Sequence, residues 1–510
     1  LLRHGIINEE RFHLKSVGRG FFVFRIIFGA GGKTKLDFFQ QLASSPPGSY
    51  SIHSFEKNLA ASYAKIQKIV TELHGDLKKM TGYSLVDSRG KLTLNDQLPT
   101  LDRYRQYLVE HSLLIRVLEY SLTHPKKNIH DFCQENFLSR ATVFRRLVPM
   151  EKILAPYHIY FQPSKLTLTG SEQSIRYFLC NVLWYLSSGE FARVVAGFPQ
   201  LAQLAHQFSR TFPLSTQWSM DEKLTMALVI SHLRREAGFY VAELLPAAEI
   251  LLPQAVQDTW QEQLSPFLNN TPERFFLSEL RFSCFLIYSG AIYTDLAADN
   301  FNYLQQWRTG NTLQEKVVAE FSKSMVANLF YGQEPANFPL ICANFLGMFN
   351  TAFLLNDTPP TLSTFVGGYL ENPATAFSDL LYFCQRFFQK IVRRKELNFL
   401  AAAVPSLAKN FAYCLWPTYY SFLQTKKIKV SLLLDANFNL SQAVEQFLNS
   451  LPFVEIVPQR NQCDLLIVQH AFLVPEDYNG PLYVYNYTSI GEDFSHLEET
   501  LDKLHQQSLS

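Results

Sequence analysis

The sequence predicts a mainly α, multidomain chain: two winged helix-turn-helix units in tandem, two all-helical domains, and a small α/β domain at the C-terminal end. Three observations predict this. A helix, turn, helix and hairpin pattern occurs twice between residues 36 and 171. Apolar residues then recur at helical spacing from residue 172 to 425. After Lys426, short apolar runs alternate with helical stretches, the pattern of a small, mostly parallel sheet. A chain of 510 residues is too long for a single core.

The repeat is legible residue by residue. Ile52-His53-Ser54-Phe55 matches Ile129-His130-Asp131-Phe132, and ten residues after each Ile stands a Ser, Ser62 and Ser139. Each Ser is a good N-cap, because its side-chain oxygen can accept an orphan N–H of the first turn. Ile66 and Val70 in one copy match Val143 and Leu147 in the other, an i, i+4 pair on one buried face. Lys91-Leu92-Thr93-Leu94 recurs as Lys165-Leu166-Thr167-Leu168, alternating like a strand. The preceding strands are read at Tyr83–Val86 and His158–Phe161, with turns at Asp87-Ser88-Arg89-Gly90 and Gln162-Pro163-Ser164. A helix over 36–43 leads the first unit, and one amphipathic helix over 101–123 connects the two. His53 and His130 fit no zinc spacing and are read as helix-surface or capping residues.

Charge is divided unevenly. Residues 1–170 hold 24 Lys and Arg against 14 Asp and Glu, a net of +10, while residues 171–510 hold 22 against 31, a net of −9. The basic excess coincides with the repeated units, where phosphate contacts would supply affinity. A capped helix anchored by two apolar residues, with Arg and Thr outward, suits a DNA major groove. The plain alternative is a solvated face of a core helix; its occurring twice favours the groove. The expected DNA-contacting residues are Tyr63, Lys65, Lys68, Arg140, Thr142, Arg145 and Arg146 on the helices, with Arg89, Lys91 and Lys165 on the wings.

Domains are expected at 36–98 (first winged unit), 99–171 (linker helix and second winged unit), 172–293 and 294–425 (helical), and 426–510 (α/β), with residues 1–35 an arm of unclear role. Helices are expected at 174–186, 221–236, 272–288, 313–330 and 375–393. Strands are expected at 428–434, 453–457, 464–469 and 482–487, with helices at 441–448 and 494–506. The seven Cys are scattered and fit buried thiols in a reducing cytoplasm. No uncharged apolar run long enough to span a bilayer is read, so no membrane partner is expected. Gly29-Ala30-Gly31-Gly32-Lys33-Thr34 has its first Gly misplaced for a phosphate loop. No catalytic, metal or cofactor motif stands out, so an enzyme is not expected.

This order of units, carried most specifically by Ser139–Leu147 with its wing and by the change at Lys426, resembles the Mga/AtxA-type transcription regulators of Gram-positive bacteria, which contain phosphotransferase-system regulation domains. The resemblance covers nearly the whole chain after residue 36. It implies a DNA-binding global or virulence and carbohydrate-metabolism regulator, an activator acting as a homodimer on double-stranded DNA. It implies that the helical domains are regulation domains phosphorylated on His by the phosphocarrier protein of the sugar phosphotransferase system. It also implies that the C-terminal unit is enzyme-IIB-like. His206 and His232 are the candidate phosphoacceptors, with Arg210, or Arg234 and Arg235, placed to pair with a phosphoryl group. The second helical domain departs from the family, since no His occurs between His232 and His470. The C-terminal unit departs too: Leu434-Asp435-Ala436-Asn437-Phe438 has no thiol after its first strand, so it is read as a non-catalytic copy. The competing functions are an RNA-binding antiterminator and a phosphotransferase-system phosphotransfer protein.

Overall fold

A computed structural model describes residues 28–55, 63–186, 189–211, 219–242, 254–289, 312–335, 337–355, 375–423, 427–434, 438–451, 453–458, 463–474, 478–485 and 490–509. The arm at 1–27, Ser62 and the expected boundary between the helical domains near residue 293 lie outside these. The fold is mainly helical, with a small parallel sheet at the C-terminal end.

The first N-terminal unit runs α1 (Gly29–Ala43), β1 (Gly48–Tyr50), a 3-10 turn (Ile52–Phe55), α2 (Tyr63–Thr81) and β2 (Leu92–Leu94). Helix α1 starts earlier than expected and takes in the glycine-rich stretch, which is therefore helix and not a phosphate loop. The first wing differs from the expected hairpin. Residues 83–86 contribute only a single bridge, Val86 to Leu92, and β2 pairs instead with β1 in antiparallel register, Gly48 opposite Leu94 and Tyr50 opposite Leu92. The Asp87–Gly90 turn is present: Asp87 Oδ1 accepts the N–H groups of Arg89 at 2.8 Å and Lys91 at 2.9 Å, and Gly90 takes φ +76°. That positive φ is one a side chain would resist.

The expected connecting helix is two. Helix α3 (Leu101–Glu110) and α4 (Leu113–Thr123) meet at a corner, His111-Ser112, because the apolar face rotates there. Tyr104 and Leu108 on α3 pack into the first unit's core, while α4 buries Leu113, Ile115, Val117 and Leu118 in another. The second unit continues with α5 (Ile129–Glu135), α6 (Arg140–Leu154), β3 (Tyr160–Gln162) and β4 (Thr167–Thr169). Here the hairpin forms as expected, shifted by one or two residues: Tyr160 lies opposite Thr169 and Gln162 opposite Thr167. Gly170 closes it with φ +136°, and a Cβ there would meet the His158 carbonyl oxygen at 2.6 Å, so only glycine fits.

Helix α7 (Glu172–Leu186) follows, buried from Ile175 to Leu183 without interruption. A helix buried all round is a core helix. Its Ile175, Phe178, Leu179 and Leu183 join the core of the second unit together with Met226 and Ile230 of α10 (Ser219–Glu236). Its Tyr177 packs with Phe282 and Phe285 of α12 (Glu273–Tyr288) and with Leu354 and Leu355 of α14 (Phe338–Leu355). Between these run α8 (Gly189–Ala196), α9 (Pro199–Thr211) and α11 (Gln254–Leu264). Leu204, Phe208 and Trp260 fill a smaller core there.

The later helices α13 (Leu313–Leu329), α14, α15 (Thr375–Ile391) and α16 (Val404–Leu423) enclose an aromatic centre. Phe321 meets Phe345 edge-on at 4.8 Å, and Phe345 stacks on Phe411 at 4.5 Å, geometries the ring quadrupole favours. The chain's many Phe residues are used here. Helix α14 corrects one expectation: it is 18 residues without a charge, long and apolar enough by composition to cross a bilayer. Most of it, 72%, is buried against its neighbours, as in a core helix.

The last unit is β5 (Ile428–Leu433), α17 (Phe438–Ser450), β6 (Val454–Ile456), β7 (Leu465–Val468), β8 (Leu482–Val484) and α18 (Ile490–Leu509). The four strands are parallel in the order β6-β5-β7-β8. Residues 435–437 of the loop after β5 lie outside the described residues, while Cys463 lies half-buried near the Tyr478 hydroxyl, before β7.

Candidate nucleic-acid interface

The second unit positions its longest helix with an exact set of local contacts. Asn128 caps α5 by a reciprocal box: its Oδ1 accepts the His130 N–H at 2.7 Å, and Asp131 Oδ2 accepts the Asn128 N–H at 2.8 Å. His130 is thus an exposed residue of the cap's first turn. The Arg116 guanidinium of α4 donates to Asn136 Oδ1, and the Tyr120 hydroxyl donates to Glu135 at 2.8 Å, binding α4 to the end of α5. Ser139 then caps α6, its Oγ accepting the Thr142 N–H at 3.2 Å. Val143, Leu147, Met150 and Leu154 are buried. Each such side chain contributes about 1.5–3 kcal/mol by leaving water.

With four buried residues on one side, the 100° step of the helix fixes the outer face. Ala141, Arg145, Val148 and Lys152 form its centre, flanked by Phe144 and Arg146, and all six are exposed. Arg140 is exposed at the first turn. Thr142 is not presented outward: its hydroxyl lies 2.8 Å from Ser139 Oγ and belongs to the cap. Lys165 is exposed in the 3-10 turn of the wing, beside the exposed Tyr160.

The same positions recur on α2. Ile66, Val70, Leu73 and Leu77 are buried, and Lys65, Gln67, Lys68 and Thr71 are exposed. Tyr63 stacks on His53 at 4.7 Å across the turn, so the two exposed rings support one another. Arg89 and Lys91 are exposed at the Asp87 turn. The Lys91 N–H first, and Arg89 after it, hold the Asp87 carboxyl below its ordinary range. Beneath, Asp76 of α2 receives Lys35 of α1 at 2.6 Å and the Tyr104 hydroxyl of α3 at 3.0 Å. Nine of the ten expected DNA-contacting side chains are therefore exposed on a helix face or wing, and Thr142 is the exception.

Sequence reasoning passed over Phe137, Phe144, Val148 and Lys152. It also passed over a buried ion cluster behind the unit. Arg176, fully buried in α7, donates to both carboxylate oxygens of Glu279, at 2.6 and 2.8 Å, to Glu172 at 2.8 Å and to the Phe239 carbonyl at 2.9 Å. Arg234 holds Glu172 at 2.6 Å, and Arg235 lies 3.6 Å from Glu279. An Arg inside the apolar run Ile175-Arg176-Tyr177-Phe178 was the available signal, since a buried guanidinium requires partners. This corrects the expectation for Arg234 and Arg235, whose charges are already engaged with carboxylates.

Of the two histidines, His206 is half-exposed, and its Nδ1 lies 2.8 Å from Asp221 Oδ2. The carboxylate accepts, so Nδ1 is the donor, and in the neutral ring the lone pair falls on Nε2. His232 is half-buried against the Phe198 ring at 5.2 Å; burial first, and the Arg235 charge second, push its pKa down. Among the described residues, no group of three His, Cys, Asp or Glu side chains comes together as a metal site.

A capped helix with a basic outer face, set by a short preceding helix and followed by a hairpin, defines a helix-turn-helix protein of the DNA-binding class. Residues 100–183, from the cap of α3 into α7, match the family model of the Mga helix-turn-helix domain. The match supports a Mga-type transcription regulator. No curated protein gives a significant match to the chain.

Proposed function

We propose that the chain is a Mga-type transcription regulator whose two N-terminal units are tandem winged helix-turn-helix modules on one double-stranded DNA site. Helices α2 and α6 enter successive major grooves, and the wings at Arg89, Lys91 and Lys165 lie on phosphates. The observation that carries this reading is the exposed Arg145 and Arg146 on a Ser139-capped helix within residues 100–183. The chain acts as a cytoplasmic homodimer without catalysis of its own. The helical part senses sugar-phosphotransferase status, and its product is control of virulence or carbohydrate genes.

Within that reading, His206 suits a phosphoacceptor better than His232. Asp221 orients its ring as a carboxylate orients a catalytic imidazole, and Nε2 is left to attack. Arg210, exposed on the same helix, is the cation left to receive the phosphate.

Fluorescence anisotropy with duplex DNA across a salt series tests the core of this. Arg145→Ala with Arg146→Ala should weaken binding and flatten the salt slope by about one per lost phosphate contact. Unaltered affinity in a folded variant would refute it. Incubation with the phosphorylated phosphocarrier protein should label the wild type and not His206→Ala.

A further inference from the structure

We infer that α6 reads thymine methyl groups, with Phe144 and Val148 as specificity-determining residues and Phe137 in the turn that precedes the helix. The inference rests on the DNA-binding reading and goes beyond it to the bases.

Helices α2 and α6 can be superposed position for position through their repeat. Ala64 matches Ala141, Lys68 matches Arg145, Gln67 matches Phe144 and Thr71 matches Val148. The basic residue at the centre of the face is kept, while its neighbours change from hydrogen-bonding to apolar. Val148 is 62% exposed and Phe144 40% exposed, on a face whose buried side is already complete. Scattered apolar exposure is ordinary, but these lie one turn apart around Arg145.

Phe137 makes the case independently. It ends α5 in a helix-terminating motif, Leu138 N–H to Cys133 carbonyl at 2.9 Å and Phe137 N–H to Gln134 carbonyl at 3.3 Å. The residue in its slot is ordinarily glycine, because φ is positive. Phe137 adopts φ +54° and is 96% exposed. It therefore accepts both backbone strain and a bare ring, two residues before the Ser139 cap of α6. The positive φ serves the turn, but glycine would serve it without strain, and the exposed ring adds no buried contact there. Residues held in such conformations cluster at binding sites.

The exposed charge on this side of the unit is mostly positive, from Arg140, Arg145, Arg146, Lys152 and Lys165, with one carboxylate, Glu151, on the stripe of Phe144 and Val148. An apolar patch framed by cations suits the major groove, where thymine alone offers a methyl group and Ala or Phe side chains are its usual contacts. Helix α2, with Gln67 and Thr71 in the same places, suits base edges that hydrogen-bond. The two modules would thus read unlike half-sites, the second rich in thymine.

The test uses the full chain and a duplex it selects from a randomised DNA pool. That duplex is resynthesised with deoxyuridine for thymidine in the half-site footprinted by α6. Uracil keeps every hydrogen-bonding group and loses only the methyl. Each contacted methyl removed should weaken binding about fourfold, the worth of one buried methylene. Phe144→Ala should narrow the difference between the two duplexes, and Phe144→Ala with Val148→Ser should nearly abolish it, whereas Arg145→Ala should weaken both and keep their ratio. Phe137→Gly should raise the melting midpoint, by relieving φ, while lowering the preference for thymine. Equal binding of both duplexes by the wild type overturns the inference and leaves the DNA-binding reading intact. A change of oligomeric state in Phe144→Ala with the thymine preference unaltered also overturns it, since the patch would then be a contact between copies. Failure to select any duplex removes both readings.

Discussion

The unit of residues 29–94 closes its core with α3, Phe38, Phe39, Leu73 and Leu92 packing around Tyr104, and it touches the next cluster through Phe28 and, on α3, Val109. The unit of residues 113–169 does not close. Its Val143, Leu147 and Leu168 continue into Phe178 and Leu183 of α7 and Ile230 of α10, in a single cluster. Two copies of one pattern thus have different mechanical standing. The first shares no buried core residue with the helical part. The second shares its interior with that part, so a rearrangement around α7 must be felt at α6.

The largest expected effect separates them most sharply. Arg176→Ala takes the bidentate partner from buried Glu279 and leaves it only the Arg235 guanidinium at 3.6 Å and the Val241 N–H at 2.9 Å, at a cost of up to about 3–5 kcal/mol. Differential scanning calorimetry should show the second unit and the helical part melting earlier together, with the first unit's transition unmoved; a uniform shift would dissolve the distinction. Leu73→Ala is the converse. It empties space in the first unit's core at about 2–5 kcal/mol. Protease cleavage should then concentrate within residues 28–94, and cleavage spreading into α7 would count against a separate core.

Smaller effects sharpen the local picture. Ser139→Ala removes the cap of α6 and should cost about 1 kcal/mol, seen as a lower urea midpoint for the second unit alone. The wings should differ in their response to acid. The Asp87 carboxyl is held below its unfolded value by the Lys91 and Arg89 N–H groups. Its contribution is therefore complete above about pH 4 and fades as pH falls through the depressed folded value. The turn Gln162-Pro163-Ser164 of the other wing has no carboxylate. Amide exchange at Arg89 and Lys91 should quicken in acid while Lys165 stays constant; parallel behaviour at both wings would argue against this role for Asp87.

Long elements were legible in the sequence, and short or non-local ones were not. Helices α7, α10, α13 and α15 each carry several turns of apolar spacing, and their ends were read to within two residues. Strand β1 is three residues in a Pro, Gly and Ser run, and its partner stands more than forty residues away, so nothing local marked it. The corner at His111-Ser112 was hidden because both sides of it are amphipathic. Lys68, Arg145 and Arg146 could be foreseen from the repeat, since charge seeks solvent. Phe137 and Phe144 could not, because an aromatic residue in sequence is presumed to be interior. The half-buried Thr142 differs from the other nine through competition: a hydroxyl three residues after a capping Ser also serves the cap.

The family match ends at residue 183, before the last turn of α7. A fragment cut there would lose Leu186 and the Arg234, Phe282 and Leu354 surfaces that sheathe the helix, and would offer a greasy, charged rod to water. Truncations meant to isolate the helix-turn-helix unit should therefore aggregate unless they retain residues through α14. A chimera that joins this helix-turn-helix unit to other helical domains must therefore carry α7 and its covering residues with it.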